Sequence, residues 1–392
     1  MREVADVVVI GGAAMGCATA YALSENQDFS GRVIVLEKDP SYRKAASALS
    51  TSGVRRQFSS AVNVKLSQYT VEFLADVDRR LGTAGEPSGV VFHENGYLYL
   101  GSAAMLDAFE RNNRLQRSLG VDARLLGRPE LARRFPWLTL DDVEVGSFVG
   151  RGEGWLDGYI LMNAFKRRAR ENGVEYRYVE AVVLECEGAR VVGVACSDGA
   201  TIATGHVVNA AGAGGRAIAG MAGLDLPIRN VTQMVFTFAS PFQARDMPFV
   251  FTAEGVFVRP EGGDYIAGLG IGAEHGDEDG ALDVDHALFE KEIWPRLALR
   301  IAGFEETRLK GAWAGHYDMN VFDRNAIIGK APGLQGFYLA NGFSGHGLMH
   351  SPGIGRGVSE LITWGEYRTL DLSALSYERI AANRPIRENI QY

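Results

Sequence analysis

Two continuous apolar runs near the N-terminus are separated by a stretch of small residues. Val7–Ile10 forms the first run and Val33–Leu36 the second, and turn or polar residues follow each. Apolar runs of this length are typical of strands buried on both faces of a parallel sheet. The alanine- and glycine-rich segment between them has the composition of a closely packed helix. The pattern predicts a βαβ unit and therefore an α/β protein.

The turn between the first strand and the helix indicates the chemistry of this unit. Gly11, Gly12 and Gly16 let the backbone approach a pyrophosphate at the helix N-terminus, where free N–H groups and the helix dipole favour negative charge. Glu37 ends the second run and can accept hydrogen bonds from a ribose, although it lies further on than the usual ~20 residues. Ala13 replaces the middle glycine of the usual pattern, and its methyl group leaves less room for the phosphates to approach the backbone. This stretch alone leaves NAD, FAD and an ordinary α/β turn open.

Periodicity and turn residues predict the elements that follow. Apolar residues recur at spacings of three and four from Val62 to Leu81, which predicts an amphipathic helix capped by Ser59 or Ser60. Asn95 and Gly96 separate two short apolar runs, so we expect a β-hairpin there. Further helices are predicted over residues 106–119, 129–135, 157–172 and 283–301.

Alternation of apolar and polar positions between residues 227 and 317 predicts an antiparallel sheet. This pattern differs from the continuous runs near the N-terminus, and we therefore expect a second domain of different architecture. Strands are predicted over residues 174–184, 191–195, 206–209, 234–238, 256–259 and 265–268.

Two further turns of small residues follow predicted strands. The strand over 206–209 leads into a turn that ends at Gly215, and a later strand leads into the glycine-broken loop 342–347. Ser351 and Pro352 then predict the N-cap and the first turn of a C-terminal helix. The turn that ends at Gly215 is the second of its kind after the glycine turn at residues 11–16, and the two together are more informative about a dinucleotide site than either alone.

Composition narrows the class of protein. The chain has 392 residues, of which 46% are hydrophobic, and is long enough for two domains. The net charge is −8 with scattered arginines, so we expect no nucleic-acid partner, and the basic run 166–170 is interpreted as a solvated helix face. Cys17, Cys186 and Cys196 lack the spacing of a disulfide framework or zinc site, and we expect buried cysteines and no metal. Without a stretch of ~18 apolar residues, no membrane span is expected, and the protein is predicted to be cytoplasmic.

Four segments, taken in chain order, carry a resemblance to a known family. They are the first glycine turn with Glu37, the segment Asn209–Gly212, the stretch Trp313–Gly329 and the loop 342–347. Together they resemble the D-amino-acid-oxidase-type (DAO) family of FAD-dependent oxidoreductases over nearly the whole chain. Within it, the chain looks most like the branch of sarcosine oxidase β subunits, sarcosine and dimethylglycine dehydrogenases and glycine oxidase-like proteins.

The resemblance implies FAD as the cofactor and an α/β (α+β two-domain) fold. A glutathione-reductase-like Rossmann FAD-binding domain, residues 1–88, 150–222 and 320–392, would be interleaved with an antiparallel-sheet substrate-binding domain, residues 89–149 and 223–319. FAD is favoured over NAD because an extended FAD returns to three separate parts of the chain. The residues expected at the cofactor are Gly11, Gly12, Ala13, Ala14, Met15, Gly16, Glu37, Lys38, Ser47, Ser52, Gly53, Val182, Ala210, Ala211, Gly212, Gly315, Gly342, Ser344, Gly345, His346, Gly347, Leu348 and Met349.

Departures from the family pattern bear on the substrate. Glycine and D-amino-acid oxidases tend to carry Arg-Pro where this chain has Tyr317 and Asp318, and that arginine holds the substrate carboxylate. Monomeric sarcosine oxidases have a lysine at the place of Met349 and attach FAD through a cysteine in the stretch that corresponds to residues 314–316. This chain has neither, nor the early loop histidine to which the dehydrogenases attach FAD, so a non-covalent FAD is predicted and a primary amino acid is disfavoured.

The resemblance implies oxidation of the C–N bond of a secondary or N-substituted amino acid, of the sarcosine or N-carboxyalkyl type. A hydride would pass to flavin N5, and water would hydrolyse the imine. Alternatives are a primary amino acid (glycine or D-amino acid) oxidase and a low-turnover FAD-binding assembly subunit. The acceptor is expected to be O2 or another redox carrier, and oligomers and partner subunits stay open. The residues expected at the substrate are Arg55, Arg259, His316, Tyr317 and His350.

Overall fold

The protein, described over residues 3–244, 246–270 and 282–388 of a computed structural model, alternates strands and helices from its N-terminus. The strands are β1 Glu3–Val4, β2 Val7–Ile10, β3 Val33–Leu36, β4 Gly53–Val54, β5 Tyr97–Gly101, β6 Arg124–Gly127, β7 Val145–Val149, β8 Gly154–Trp155, β9 Glu175–Arg177, β10 Ala181–Glu187, β11 Arg190–Cys196, β12 Thr201–Ala203, β13 His206–Asn209, β14 Ile228–Ala239, β15 Phe249–Phe251, β16 Val256–Glu261, β17 Asp264–Leu269, β18 Arg308–Asn320, β19 Ile327–Lys330 and β20 Phe337–Asn341. The α-helices are α1 Ala14–Ser24, α2 Ala46–Leu49, α3 Ala61–Leu74, α4 Val77–Leu81, α5 Leu106–Ser118, α6 Arg128–Arg134, α7 Gly158–Glu171, α8 Gly215–Met221, α9 Trp294–Arg300, α10 Gly347–Thr363 and α11 Glu378–Ala381.

A six-stranded sheet in the order β19-β20-β13-β2-β3-β9 carries the N-terminal βαβ unit. All its strands are parallel except the edge strand β19, and Val8 of β2 lies between Ile34 and Val207. The strands are continuously apolar because helices cover the sheet. Helix α10 packs tightly on α1, since a Cβ at Gly355 would lie 2.6 Å from the backbone of Ala18. The predicted parallel α/β unit is confirmed.

An eight-stranded sheet in the order β18-β14-β17-β16-β15-β5-β7-β6 accounts for the alternating segments. Its pairings are antiparallel apart from β15 with β5, and its longest ladder joins β14 to β18. The predicted antiparallel sheet is confirmed. A four-stranded sheet, β1-β12-β11-β10, and the short pair β4-β8 complete the described pairing. The division into two interleaved domains at the predicted boundaries stays a prediction.

The predicted hairpin at Asn95 and Gly96 is wrong. Strand β5 pairs with β7 and β15, and the upstream residue His93 instead bridges to Trp155. Gly96 is in the left-handed region at φ +86°, and a Cβ there would lie 2.6 Å from the carbonyl oxygen of Val149. The glycine therefore serves close packing against a distant strand and not a local turn.

Several helix boundaries differ from the predictions, whereas α5, α6 and α7 are confirmed. The predicted helix through Leu81 breaks after Leu74 into α3 and α4, and the one over 283–301 is a π-helical turn, Phe289–Ile293, followed by α9. The last helix begins at Gly347 and contains Pro352 in its interior. The hydroxyl of Ser351 donates to the carbonyl of Leu348 at 2.9 Å, the acceptor that the missing N–H of Pro352 leaves open. The strand predicted over 174–184 is divided between β9 and β10.

Two compositional expectations are also corrected. Cys186 is exposed, whereas Cys17 and Cys196 are buried as expected. Lys166 does not lie on a solvated face, because it is 8% exposed and its ammonium donates to the hydroxyl of Tyr42 at 3.1 Å, 4.6 Å from the ring centre. Among the described helices, none has the length and apolarity needed to cross a bilayer.

Candidate active site

The first glycine turn brings the N-terminus of α1 against the ends of two strands. A Cβ at Gly16 would lie 1.8 Å from the carbonyl oxygen of Gly11, and one at Gly11 would lie 2.4 Å from that of Ala210. Both positions require glycine because neither backbone oxygen can move away. Ala13 has φ −78° and ψ −167°, an extended conformation open to any residue, so alanine replaces the middle glycine without strain.

Glu37 is tied to this turn. Its two carboxylate oxygens accept the N–H groups of Gly12 and Asp39, both at 2.8 Å. A carboxylate oxygen can accept more than one hydrogen bond, so acceptor capacity remains for ribose hydroxyls. The hydroxyl of Ser47 lies 3.4 Å from the N–H of Ala14 at the start of α1. The predicted residues therefore meet at one helix N-terminus, where anions bind favourably.

Buried asparagines connect the second turn to the end of β20. The side-chain oxygen of Asn209 accepts the N–H of Ala211 at 3.3 Å and the amide of Asn341 at 3.2 Å. The amide of Asn209 donates to the carbonyl of Gly215 at 2.8 Å. Since β2, β13 and β20 are parallel, their three following turns lie at the same edge of the sheet, where α/β proteins bind ligands.

Asp318 of β18 fixes the third turn, which is the glycine-broken loop 342–347. Its carboxylate accepts the N–H groups of Gly342, at 2.8 Å, and Phe343, and its carbonyl accepts the N–H of Ser344. Ser344 has φ +51°, and its hydroxyl accepts the N–H of Asn320 at 3.0 Å. Burial raises the pKa of Asp318 to about 6, although the two N–H donors favour the charged form. Asp318 therefore holds the third turn from β18.

Residues 46–54 comprise the short helix α2, a connection and strand β4, and together form loop 46–54. Side chains of the eight-stranded sheet hold this loop by its carbonyl groups. Trp313 donates its indole N–H to the carbonyl of Leu49 at 2.8 Å, and Arg259 donates to the carbonyl of Thr51 at 3.1 Å. Arg259 is 4% exposed and forms an ion pair with Glu261, so its charge is compensated. The other predicted residues in or against this loop are Ser52, Gly53 and Gly315.

Arg55 is a buried cation directly after this loop. It is 7% exposed, and its Nη1 donates to the carbonyl of Gln57 at 2.8 Å while Nη2 lies 3.2 Å from Nε2 of His346. Its guanidinium carbon lies 4.0 Å from the ring centre of Phe58. Within the described ranges, Arg55 forms no ion pair. Because a buried charge is costly unless it is paired, the arrangement favours an anionic ligand.

The two histidines beside Arg55 are neutral. Burial and the Arg55 guanidinium hold the pKa of His346 well below its usual value and lower that of His350 to about 3. Because Arg55 donates to Nε2 of His346, the imidazole proton lies on Nδ1. His350 packs its ring 5.2 Å from that of Phe58, and its Nε2 lies 3.1 Å from the hydroxyl of Ser67 on α3. Neither ring adds a second positive charge to the site.

Glu153, which the sequence analysis missed, is a second buried charge in the same region. It is fully buried between β7 and β8, and its carboxylate accepts the N–H of Arg56 at 2.7 Å and the side-chain amide of Gln57 at 2.8 Å. Burial raises the pKa of Glu153 to about 7. A lone glutamate before Gly154 carries no local signal of burial, because its surroundings come from distant segments.

Four more of the predicted residues lie at the third turn and the start of α10. Tyr317 packs on the third turn, since a Cβ at Gly345 would lie 2.8 Å from its ring, and His316 lies beside it on β18. Burial raises the pKa of Tyr317. Leu348 is buried at the start of α10, as is Met349, whose carbonyl accepts the hydroxyl of Thr70. Met349 therefore belongs to the core between α3 and α10.

Lys38 and Val182 lie apart from these contacts. Lys38 is exposed, with its ammonium 3.4 Å from Glu180. Val182 lies where the register of β10 with β11 shifts, and its side chain is 41% exposed. Direct contacts of all these residues with cofactor and substrate stay predictions.

The geometry fits an extended dinucleotide. Glycines that tolerate no Cβ place the backbone of the first turn at a helix N-terminus, and two further turns converge on the same sheet edge. Loop 46–54 and the third turn then lead to the buried Arg55. Three separate parts of the chain can therefore hold one long cofactor.

Comparisons with known proteins agree with this geometry. The family model described as "FAD dependent oxidoreductase" (DAO) matches residues 6–361. "FAD-dependent oxidoreductase domain-containing protein 1" of Xenopus laevis is 34% identical, over 98% of this chain and 84% of that protein. Human mitochondrial sarcosine dehydrogenase is 28% identical over 93% of this chain, which spans 40% of that relative's length. The crystal structure of L-proline dehydrogenase from P. horikoshii superposes with a TM-score of 0.87 and 28% identity, covering 98% of this chain and all of that one.

The match of the family model spans most of the chain and includes all three turns. The resemblance inferred from the sequence, the α/β fold and FAD as the cofactor are thereby confirmed. The chain belongs to the DAO family of FAD-dependent oxidoreductases.

Proposed function

We propose that the protein oxidises the C–N bond of a secondary or N-substituted amino acid. The observation that carries the proposal is Arg55, a guanidinium that is 7% exposed and forms no ion pair within the described ranges. A carboxylate that reaches Arg55 would form charge-assisted hydrogen bonds in a site shielded from water. Arg55 is therefore the residue expected to bind and orient the carboxylate of the substrate.

The environment of Arg55 suits an amine that must lose its proton before oxidation. Burial first, and the Arg55 guanidinium second, disfavour positive charge here and lower the pKa values of His346 and His350. The same effect on a substrate ammonium group would favour the neutral amine. Neutral His346, held by Arg55 with its proton on Nδ1, leaves the region without a competing cation.

The flavin, when bound, accepts the hydride of the C–H bond adjacent to nitrogen. The chain supplies position: Arg55 fixes the carboxylate end of the substrate, and Asp318 fixes the third turn through two backbone N–H groups. Phe58 and Tyr99 cover the guanidinium, at 4.0 and 5.7 Å from its carbon, and exclude water. Holding the reacting groups in one geometry lowers the entropic part of the barrier.

The substrate class rests on the relatives and on one departure from the family. The human relative is a sarcosine dehydrogenase and the P. horikoshii structure is an L-proline dehydrogenase, and sarcosine and proline are both secondary amino acids. The position at which the resemblance places an arginine for primary amino acids is here Tyr317, whose phenol carries no positive charge for a carboxylate. Both observations favour a secondary or N-substituted amine over a primary one.

Anaerobic reduction of the flavin tests the proposal. The holoenzyme is mixed with sarcosine, proline, N-carboxymethyl amino acids, glycine and D-alanine, and the flavin absorbance is followed. We expect bleaching by at least one secondary or N-substituted amino acid and slower or no bleaching by glycine and D-alanine. Bleaching by primary amino acids alone would identify a primary amino acid oxidase. Absence of bleaching by the whole panel would favour an assembly subunit.

A further inference from the structure

Two buried side chains of opposite charge lie near each other without forming an ion pair. Arg55 is 7% exposed and Glu153 is 0% exposed, and within the described part of the chain neither is ion-paired. Burying an ion is costly, and a direct pair would recover part of the cost. The chain instead keeps the two charges apart, which leaves both free to respond to a ligand.

Gln57 connects the two charges. Its backbone carbonyl accepts Nη1 of Arg55 at 2.8 Å, and its side-chain amide donates to Glu153 at 2.8 Å. Ser147 donates its hydroxyl to the side-chain oxygen of Gln57 at 2.6 Å, so the amide nitrogen must face Glu153. A change of charge at one end is therefore transmitted through a short, oriented path.

Four charged or titratable side chains lie around Glu153. Arg55 and Arg56 face it from the segment after β4, and Tyr97 and Tyr99 face it from β5. Burial raises the pKa values of both tyrosines above their usual range and raises that of Glu153 to about 7. Among these groups, Glu153 is the one that exchanges a proton near neutral pH.

We propose that Glu153 is a positioning residue that takes up one proton when a substrate carboxylate binds Arg55. This inference rests on the proposed function, which places the carboxylate at Arg55. The bound carboxylate takes over as the counter-charge of Arg55, and the attraction that keeps Glu153 ionised is then offset by repulsion between two anions. The proton comes from solvent and adds to a carboxylate oxygen of Glu153, while no other bond changes.

Binding of a non-oxidisable ligand to the holoenzyme tests the inference. Tetrahydrofuran-2-carboxylate is proline with oxygen in place of N–H, and its binding is followed by the flavin spectrum from about pH 6.5 to about pH 8.5. For the wild type, we expect Kd to rise toward ~10-fold per pH unit above about pH 7, as uptake of one proton requires. Calorimetry in two buffers of different ionisation enthalpy should report uptake approaching one proton.

Two variants separate this effect from others. Glu153→Gln keeps a neutral acceptor for Gln57, and we expect its Kd to vary less than ~2-fold over the same pH range with no proton uptake. Glu94→Gln is the matched control, because Glu94 is exposed and accepts the N–H of Gly152, next to Glu153. Its pH profile should follow the wild type.

The outcomes distinguish this inference from the function on which it rests. Ligand binding with proton uptake that persists in Glu153→Gln, or with no uptake in the wild type, overturns the inference alone. Failure of the wild type to bind any carboxylate overturns the proposed function as well. Infrared difference spectra of the wild-type holoenzyme provide a second measurement if the variant does not fold. A protonated-carboxyl band should appear on binding, and its absence would contradict the proposal.

Discussion

Replacement of Arg55 by methionine separates the function of this residue from its effect on stability. The guanidinium is 7% exposed and has no ion-pair partner in the described ranges. Removal of this charge from water therefore lowers the stability of the folded protein. Methionine removes that cost but loses the cation–π contact with Phe58 at 4.0 Å, worth ~1 kcal/mol, and the hydrogen bonds to Gln57 and His346. Because the gain and the losses oppose each other, we expect the melting temperature of the Arg55→Met apoprotein to stay within about 5 °C of the wild type by calorimetry.

The loss in catalysis should be large. Two charge-assisted hydrogen bonds from the guanidinium to a carboxylate are worth roughly 1.5–3 kcal/mol each. Losing both costs about 3–4 kcal/mol at the low end, which lowers kcat/KM by on the order of 10²–10³-fold. Burial continues to hold the pKa of His346 below its ordinary value, but Arg55→Met removes the second cause and should raise that pKa, which NMR titration can follow.

The assay is anaerobic stopped-flow reduction of the flavin by the best amino acid substrate. Arg151→Met is the matched control, since Arg151 is an exposed arginine two residues before Glu153. Its kcat/KM should stay within ~3-fold of the wild type. The reasoning is refuted if Arg55→Met slows an amine that lacks the carboxylate as much as it slows the amino acid.

Three further predictions concern the cofactor and the loop that Asp318 holds. Gly16→Ala places a Cβ 1.8 Å from the carbonyl oxygen of Gly11, so the purified variant should contain little or no FAD by absorbance, whereas Ala13→Gly should retain it. Acid precipitation of the wild type should release FAD into the supernatant, and a yellow pellet would contradict non-covalent binding. The pKa of Asp318 is raised by burial to about 6, above its unfolded value of about 3.9, so its contribution is full below about pH 4 and is lost as the pH rises through about 6. Relative to Asp318→Asn, the wild type should lose about 3 kcal/mol of stability over that window in denaturant titrations, and parallel pH profiles would contradict this.

Local patterns predicted the features that depend on neighbours in the sequence. Val7–Ile10 and Val33–Leu36 are continuously apolar because both faces of their sheet are covered, and this is visible in the composition of each strand. Asn209 and the turn after it were found in the same way. Helix α7 begins where Asp157 accepts the N–H of Ile160 at 2.9 Å, at the predicted start of the helix over 157–172.

Features that depend on distant parts of the chain were missed. Asn95 and Gly96 suggested a hairpin, but Gly96 packs against Val149, and no local pattern shows that choice of partner. Glu153 is buried by segments that precede it by almost a hundred residues, so its perturbed pKa has no signature in the neighbouring sequence. The burial of Lys166 against Tyr42 was missed for the same reason.

The contacts of loop 46–54 also bear on how the protein is made. Trp313 reaches Leu49 across 264 positions of the chain, and Arg259 reaches Thr51 across 208. Contacts of such high sequence separation form late, because the intervening chain must first be closed. On a ribosome, the loop beside the cofactor cannot be fastened until β18 has left the exit tunnel. A nascent chain that ends before Trp313 should therefore hold the first glycine turn without a completed flavin site, and FAD binding should follow the emergence of β18.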